Sequence, residues 1–226
     1  MPQPHIDPRW PKVLSLSVHE LRTPMTVVAG YIRMLLKDRA GALNDQQRRL
    51  LEEAEKSCAR LSALVAEVSE LSNLEAGTAP FNKSRADVQA ILRDAVAQLP
   101  ALADREVPVT LETDEEPAPI DADPVRLAQA FSSVMAALRR ELVGDEGLTV
   151  QHRRTPGGYE ILMGDSSTLS ALTAEPDVSR AIFDEWRGGV GLSLIVARRV
   201  LNAHGGSLFA PPDGRKAGAR IVLRSA

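Results

Sequence analysis

The feature that most constrains this chain is a pair of apolar repeats near its N-terminus. Between residues 13 and 37 the apolar positions recur at steps of three and four, at Val18, Leu21, Met25, Val28, Ile32 and Leu35. The same stepping returns after a polar break, at Ala54, Ser57, Leu61, Leu64, Val68 and Leu71. This spacing places one apolar seam along each of two helices. Each helix would have about 25–30 residues and a length of roughly 40 Å.

The break between the repeats, at residues 38–44, predicts a turn, so residues 13–77 are predicted to form a helical hairpin. Residues 1–12, with four prolines, predict a short extended N-terminal arm. Asn44 or Asp45 can cap the second helix, and Gly77 can end it. Because a two-helix hairpin cannot fully bury its own seam, we expect a homodimer that forms a four-helix bundle. The alternative is that the seam packs against the rest of the same chain.

The remaining residues, 78–226, alternate between helical and strand patterns. Helical periodicity is found at 87–102, 124–143 and 192–203. Strand patterns are found at 107–113, 148–153, 159–165, 207–210 and 220–223. This order predicts helices on one face of a mixed sheet. The predicted fold class is therefore α+β, with a long two-helix hairpin followed by an α/β sandwich.

Composition argues against several classes of function. The 226 residues carry a net charge of -3 and a single cysteine. This balance gives no basis for a nucleic-acid partner, a disulfide framework or a cysteine-rich metal site. No run approaches the roughly 18 apolar residues of a membrane span, and the N-terminus lacks the apolar core of a signal peptide. We therefore expect a cytoplasmic protein with no metal site of its own.

One short segment of the first predicted helix, Ser17-Val-His-Glu-Leu-Arg-Thr-Pro24, combines groups that suit nucleophilic chemistry. His19 follows the seam residue Val18, so it is predicted to lie on the flank of the bundle and to face water. Glu20 can accept a hydrogen bond from one ring nitrogen, which fixes the tautomer and leaves the other nitrogen nucleophilic. Pro24 cannot donate to the carbonyl of Glu20, which predicts a helix kink beside His19. A lone exposed histidine is usually a solvated surface residue, but this combination favours a chemical role.

The box His-Glu-Leu-Arg-Thr-Pro resembles the phosphoacceptor box of sensor histidine kinases. The resemblance extends over nearly the whole chain. It implies that residues 13–77 form a dimerisation and histidine-phosphotransfer domain. It implies that residues 78–226 form a catalytic ATP-binding domain of the Bergerat type. By the same resemblance, His19 carries the phosphoryl group, Glu20 is the adjacent acid, and Thr23 matches the position that orients a hydrolytic water in phosphatase-competent members.

The second half resembles the same family in outline but differs at the boxes that bind nucleotide. The family's two asparagines, one of which holds Mg²⁺, correspond to Ser133 and Ala137, and alanine has no oxygen for a metal. Asp165 stands at the position of the adenine-contacting aspartate. Its two glycine partners are replaced by Ser167 and Leu169. A leucine cannot give the close backbone approach that glycine allows.

The last part of the chain carries two further family-like boxes. Residues 181–186 resemble the phenylalanine box, and Gly189 and Gly191 resemble the start of the last glycine box, with Ser193 in place of its third glycine. Backbone N–H groups at such a helix start can approach a phosphate. Asp165, Gly189 and Gly191 are therefore the candidate nucleotide contacts. The replaced residues predict that ATP binds weakly or not at all.

The sequence leaves three functions open. In the first, His19 exchanges a phosphoryl group with an aspartate of a response-regulator receiver domain, a transfer for which Mg²⁺ is expected. In the second, the chain is an autokinase whose α/β domain uses Mg-ATP to phosphorylate His19. In the third, the chain is a non-catalytic pseudokinase scaffold that regulates a receiver or a kinase. The intact box at His19 favours the first two, and the altered nucleotide boxes favour the first.

Overall fold

The computed structural model describes residues 9–113, 116–143, 146–174, 183–211 and 217–225. The chain divides into two compact units, residues 1–79 and residues 80–226. The first unit is built from two long helices, α1 (Trp10–Leu36) and α2 (Asp45–Glu75). Residues 1–8 of the predicted arm and residues 181–182 of the predicted phenylalanine box lie outside the described residues.

The start of α1 differs from the prediction. The helix begins at Trp10 and contains Pro11 in its first turn, so the last residues of the predicted extended arm are helical. A proline is tolerated there because the first N–H groups of a helix have no intrahelical acceptor in any case. Pro24 lies inside the same helix, which continues to Leu36.

Both ends of α2 form as the sequence predicts. At its start, the Asn44 side chain accepts a hydrogen bond from the Gln47 N–H at 2.8 Å. The Gln47 side chain accepts one from the Asn44 N–H at 3.0 Å, which completes a capping box. At its end, Gly77 takes a left-handed conformation with φ 66°, as is common after a helix C-terminus.

Polar contacts fix the two helices at opposite ends of the hairpin. At the turn, Arg48 donates to both carboxylate oxygens of Asp38, at 2.9 and 2.8 Å. Arg48 also donates to the carbonyl oxygen of Leu36 at 2.9 Å. At the far end, the Ser72 hydroxyl donates to the carbonyl oxygen of Pro11 at 2.7 Å. The helices are therefore antiparallel, with Pro11 beside Ser72 and Leu36 beside Arg48.

The apolar seam of α1 is only partly covered within the hairpin. Val18 and Ile32 are buried, whereas Leu21 and Val28 of the same repeat are 52% and 48% exposed. On α2, Leu64 is also exposed. The hairpin thus leaves four of the twelve repeat positions exposed, Leu21, Val28, Leu61 and Leu64, as expected for two helices that cannot bury their own seam.

The second unit is an α/β sandwich. Its elements in chain order are β1 (Ser84–Asp87), α3 (Val88–Ala97), β2 (Val109–Glu112), β3 (Pro119–Ala122), α4 (Pro124–Glu141), β4 (Leu148–Thr155), β5 (Gly158–Gly164), α5 (Ser166–Ala174), a 3₁₀ turn (Arg187–Gly189), α6 (Ser193–Ala203), β6 (Ser207–Phe209) and β7 (Gly218–Arg224). The main sheet has the order β2-β4-β5-β7-β6, with β2 parallel to β4 and the other pairs antiparallel. Strands β1 and β3 form a separate antiparallel pair. The predicted α+β class with a mixed sheet is confirmed.

One helix contradicts the prediction that all helices lie on one face of the sheet. Leu169 and Leu172 of α5 form a buried cluster with Leu162 of β5. Side chains alternate along a strand, so the fully buried Ile161 and Met163 point to the opposite layer. Helix α5 therefore covers the second face. Its nine residues are mainly Ser, Thr, Ala and Leu, and so short a run shows little periodicity in sequence.

The helix predicted at 87–102 is shorter in the structure. Helix α3 ends at Ala97, and the following Leu99 precedes Pro100, which disfavours helical geometry in the residue before it. The helix begins at Val88, close to the predicted start. Asp87 caps it by accepting a hydrogen bond from the N–H of Gln89 at 3.2 Å. The same carboxylate oxygen accepts from the N–H of Ala118 at 2.9 Å, which ties α3 to the loop before β3.

The capping box generates a test of the hairpin. Replacing Asn44 by alanine removes the acceptor for the Gln47 N–H and should weaken the first turn of α2 by about 1 kcal/mol. We expect hydrogen exchange at the Gln47 amide to accelerate roughly fivefold, in line with that free energy. Asn44→Asp keeps the acceptor and serves as the matched control. Equal exchange at Gln47 in both variants would contradict the assignment.

Candidate functional site

His19 lies on the water-facing flank of α1. The preceding residue, Val18, is 4% exposed, whereas the His19 side chain is 76% exposed. The distance from His19 Nδ1 to Glu20 Oε1 is 3.6 Å. This is longer than a hydrogen bond, so the predicted bond is not formed, although the carboxylate lies on the Nδ1 side of the ring. A carboxylate on the Nδ1 side favours the proton on Nδ1 and leaves Nε2 as the ring nitrogen with a free electron pair.

The helix around His19 has an irregular hydrogen-bond ladder. Pro24 has no N–H, so the carbonyl oxygen of Glu20 lacks its intrahelical donor. Two hydroxyl side chains on either side bond back into the helix. Ser17 donates to the carbonyl oxygen of Val13 at 2.9 Å, and Thr26 donates to the carbonyl oxygen of Arg22 at 2.8 Å. The polar segment stays helical despite the missing bond.

Thr23 completes the predicted group on α1. It is exposed and lies four residues after His19, and residues four apart are neighbours on a helix surface. The structure therefore places His19, Glu20 and Thr23 on one exposed stretch of α1. An exposed imidazole with a carboxylate and a hydroxyl beside it is accessible to a reactive group carried by a second macromolecule.

The face of α4 that carries Ala137 is closed by the chain itself. Ala137 is 0% exposed, and the backbone of Gly188 packs directly on it. A Cβ added at Gly188 would lie 2.7 Å from both the Cα and the carbonyl oxygen of Ala137. Gly188 also has a φ of 67°, which side-chain-bearing residues rarely adopt. Only glycine suits this contact.

Side chains hold the 3₁₀ turn in this position. Arg140, on the next part of α4, donates through Nη1 to the carbonyl oxygens of Gly188 at 3.3 Å and Gly189 at 2.8 Å. Arg187 forms an ion pair with Glu141, with the Nε–Oε2 distance at 2.8 Å. The Arg187 guanidinium lies 5.1 Å from the ring centroid of Phe183. The turn is thereby fixed against the C-terminal half of α4.

Asp165 is engaged at the start of α5. Its Oδ1 accepts hydrogen bonds from the N–H of Thr168 at 2.7 Å and from the hydroxyl of Ser167 at 2.8 Å. This is the geometry of a helix N-terminal cap. Leu169, which replaces a family glycine, is 6% exposed and packs on the sheet. The segment that aligns with a nucleotide loop is therefore the first part of a helix.

The side chains at positions 133 and 137 of α4 do not fit a Mg²⁺ site. Ala137 offers no oxygen and is covered, and the Ser133 hydroxyl donates to the carbonyl oxygen of Gln129 at 3.0 Å. Gly189 and Gly191 have φ values of 57° and 68° and precede α6. In the described ranges, no group of three or more His, Cys, Asp or Glu residues could hold a metal ion.

Sequence reasoning missed the two residues that close this face, Gly188 and Arg140. Gly188 had a visible signal, since a Gly-Gly pair between Trp186 and Val190 indicates backbone with positive φ. Arg140 had no visible signal, because an arginine at the polar end of a helix is ordinary in sequence.

No helix within the described part of the chain is long and apolar enough to cross a membrane.

Comparisons with known proteins agree with this geometry. Residues 12–77 match the His Kinase A (phospho-acceptor) domain. The chain is 25% identical over 191 residues to sensor protein DivL of Caulobacter vibrioides, covering 83% of this chain and 24% of that protein. It is 27% identical over 205 residues to the signal transduction histidine-protein kinase BarA of Escherichia coli, covering 84% of this chain and 22% of that protein.

A solved structure shares the fold. The crystal structure of full-length ShkA in complex with AMPPNP superimposes with a TM-score of 0.70 at 22% identity, covering 96% of this chain and 46% of that one. The chain spans about a quarter of the length of the two curated relatives, at 24% and 22%. The phosphoacceptor-domain match over residues 12–77 and these relatives agree with the exposed His19 box, and together they support a place for the chain in the sensor histidine kinase family.

Proposed function

We propose that this protein is a phosphotransferase of two-component signalling. In this proposal His19 exchanges a phosphoryl group with an aspartate of a response-regulator receiver domain. The observation that carries the proposal is the exposed His19 ring, with the Glu20 carboxylate 3.6 Å from Nδ1. The resemblance of residues 12–77 to a phospho-acceptor domain supports it. A cytoplasmic location is part of the same proposal.

The transfer follows from the assigned tautomer. With the proton on Nδ1, the electron pair of His19 Nε2 attacks the phosphorus of an aspartyl phosphate. The P–N bond forms as the P–O bond to the aspartate breaks, and that electron pair returns to the carboxylate. Glu20 stabilises the positive charge that develops on the ring. Mg²⁺ is expected as the counter-ion of the transferring group, brought together with the receiver domain.

Thr23 belongs to the same proposal in a secondary role. Its hydroxyl lies one helical turn from His19, where it could orient a water molecule for hydrolysis of a phosphorylated partner. The exposure of Thr23 on the same stretch of α1 as His19 supports this role.

The autokinase remains the second candidate function. It is favoured by the shared fold with ShkA, which was solved with AMPPNP. Ala137 argues against it, because alanine offers no oxygen to a metal ion and this residue is buried. No observation on the described residues favours a non-catalytic scaffold.

The first test concerns the phosphoryl carrier. His19→Ala should abolish transfer of label from a phosphorylated receiver, because it removes the only proposed nucleophile. Glu20→Gln keeps the size of the side chain but loses its charge, and should slow transfer by about 10²-fold or more. Rates are measured by loss of label from the receiver, with circular dichroism to verify folding. Unchanged transfer by His19→Ala would refute the assignment.

The second test concerns the homodimer, which the half-exposed seam supports. Leu64→Glu should shift the protein toward monomer, because it places charge in the apolar stripe. Ser62→Glu adds the same charge outside the repeat and is the matched control. Light scattering at micromolar concentration reads the mass. An unaltered protein that is monomeric, or a control that dissociates equally, contradicts the dimer.

The third test concerns nucleotide. Each lost polar contact costs about 0.5–1.5 kcal/mol, and the losses at Ala137, Ser167, Leu169 and Ser193 together are worth about 4 kcal/mol. That corresponds to roughly a thousandfold in affinity. We expect a Kd for Mg-ATP in the millimolar range or weaker by calorimetry. A low-micromolar Kd would reverse the ranking and put the autokinase first.

A further inference from the structure

The connector between the two units is ordered on both sides of a single proline. On its N-terminal side, the N–H groups of Thr78 and Ala79 both donate to the carbonyl oxygen of Asn73, at 2.9 and 3.1 Å. These bonds tie the chain to the end of α2. On its C-terminal side, residues 81–83 are held by the N-terminal end of α4 and the C-terminal end of α6. Pro80 lies between the two anchored stretches.

Phe81 is held through its ring. It meets the ring of His204 edge to face, with centroids 5.1 Å apart and an angle of 89° between the planes. The guanidinium of Arg126 lies 4.9 Å from the same centroid. Both contacts are favourable geometries for an aromatic ring. Phe81 is therefore positioned by Arg126 of α4 and by His204, which follows the last residue of α6.

The next two residues are held by hydrogen bonds. The N–H of Asn82 donates to Oδ2 of Asp123 at 2.9 Å. The ammonium group of Lys83 donates to the carbonyl oxygen of Ala203 at 3.2 Å. Three consecutive residues of the connector are therefore bonded to the same small region, where α4 begins and α6 ends.

His204 and Asp123 form the base of this region, and their bonding requires a neutral imidazole. His204 is 7% exposed and Asp123 is 4% exposed. Nε2 of His204 accepts a hydrogen bond from the N–H of Asp123 at 3.0 Å. Nδ1 lies 2.7 Å from the carbonyl oxygen of Val200, to which it donates. A protonated ring has a donor on both nitrogens, and its Nε2 could no longer accept from Asp123.

We propose that residues 81–83 form a latch, closed on the neutral His204 ring and the Asp123 carboxylate, that confines movement between the two units to the neighbourhood of Pro80. Opening the latch releases these three residues, which precede the first residue of β1, and so lengthens the unanchored part of the connector. The latch is independent of the chemistry at His19. It determines how far the α/β unit can move while its own fold stays intact.

The charged groups around the ring set the direction of a pH effect. Burial lowers the pKa of His204, and Lys83 and Arg126 act in the same direction, while the hydrogen bond to Val200 and the charge of Asp123 oppose it. Opening the latch removes the Phe81 ring from His204 and the Lys83 charge from its neighbourhood, so the open latch binds a proton more readily than the closed one. Closure is therefore favoured while the ring is neutral and weakens as the pH falls and the ring takes up a proton.

The experiment measures hydrogen exchange of the full chain at the Asn82 amide, corrected for the intrinsic exchange rate at each pH. Phe81→Ala removes both ring contacts and should reduce the protection of Asn82 by roughly tenfold. The amides of Ile161 and Leu162 in β5 report on the core and should not change. Val125→Ala, on an exposed position of α4, is the matched control and should leave Asn82 protected. Trypsin cleavage after Lys83 should accelerate in parallel with the loss of protection.

A second variant tests the role of the ring itself. His204→Gln supplies an amide oxygen that can accept from the Asp123 N–H without titrating. In the unaltered protein, protection of Asn82 should fall as the pH is lowered and His204 becomes protonated, and in His204→Gln this fall should be absent. The latch is overturned if Phe81→Ala leaves Asn82 protected, if the β5 amides lose protection by the same factor, or if His204→Gln keeps the original pH profile.

Discussion

The spacing of apolar residues along α1 is the constraint on which the proposed chemistry depends. Because Val18 is buried in the hairpin, the next residue, His19, must point away from it, and its side chain is 76% exposed. The same spacing leaves Leu21 and Val28 half exposed, which supports association of two hairpins. One repeat therefore accounts both for the accessible imidazole and for the surface that a second copy would cover.

In the α/β unit, the face of α4 that carries Ala137 is closed by the 3₁₀ turn Arg187–Gly189. Gly188 packs on Ala137, and Arg140 bonds to the carbonyl oxygens of the same turn. A residue with any side chain at position 188 would collide with the backbone of Ala137. The same residue, Ala137, therefore lacks an oxygen for a metal ion and provides the surface on which the turn packs.

Sequence patterns predicted the elements with long or repeated signals and missed the short ones. The hairpin, the capping residue Asn44 and the exposure of His19 follow from periodicity and local hydrogen bonding. Helix α5 and strands β1 and β3 were missed because each spans too few residues to show a period. The contacts that close α4, and the bonds of residues 81–83 to His204 and Asp123, join positions far apart in the chain. No local pattern reports such contacts.

The most direct test of the central claim locates the phosphoryl group at atomic level. After incubation with a phosphorylated receiver domain and Mg²⁺, without nucleotide, phosphorus–nitrogen correlation NMR identifies the ring atom that carries phosphorus. The account predicts phosphorus on Nε2 of His19, because the Glu20 carboxylate at 3.6 Å favours the proton on Nδ1. Phosphorus on Nδ1, on any other residue, or on none would contradict it.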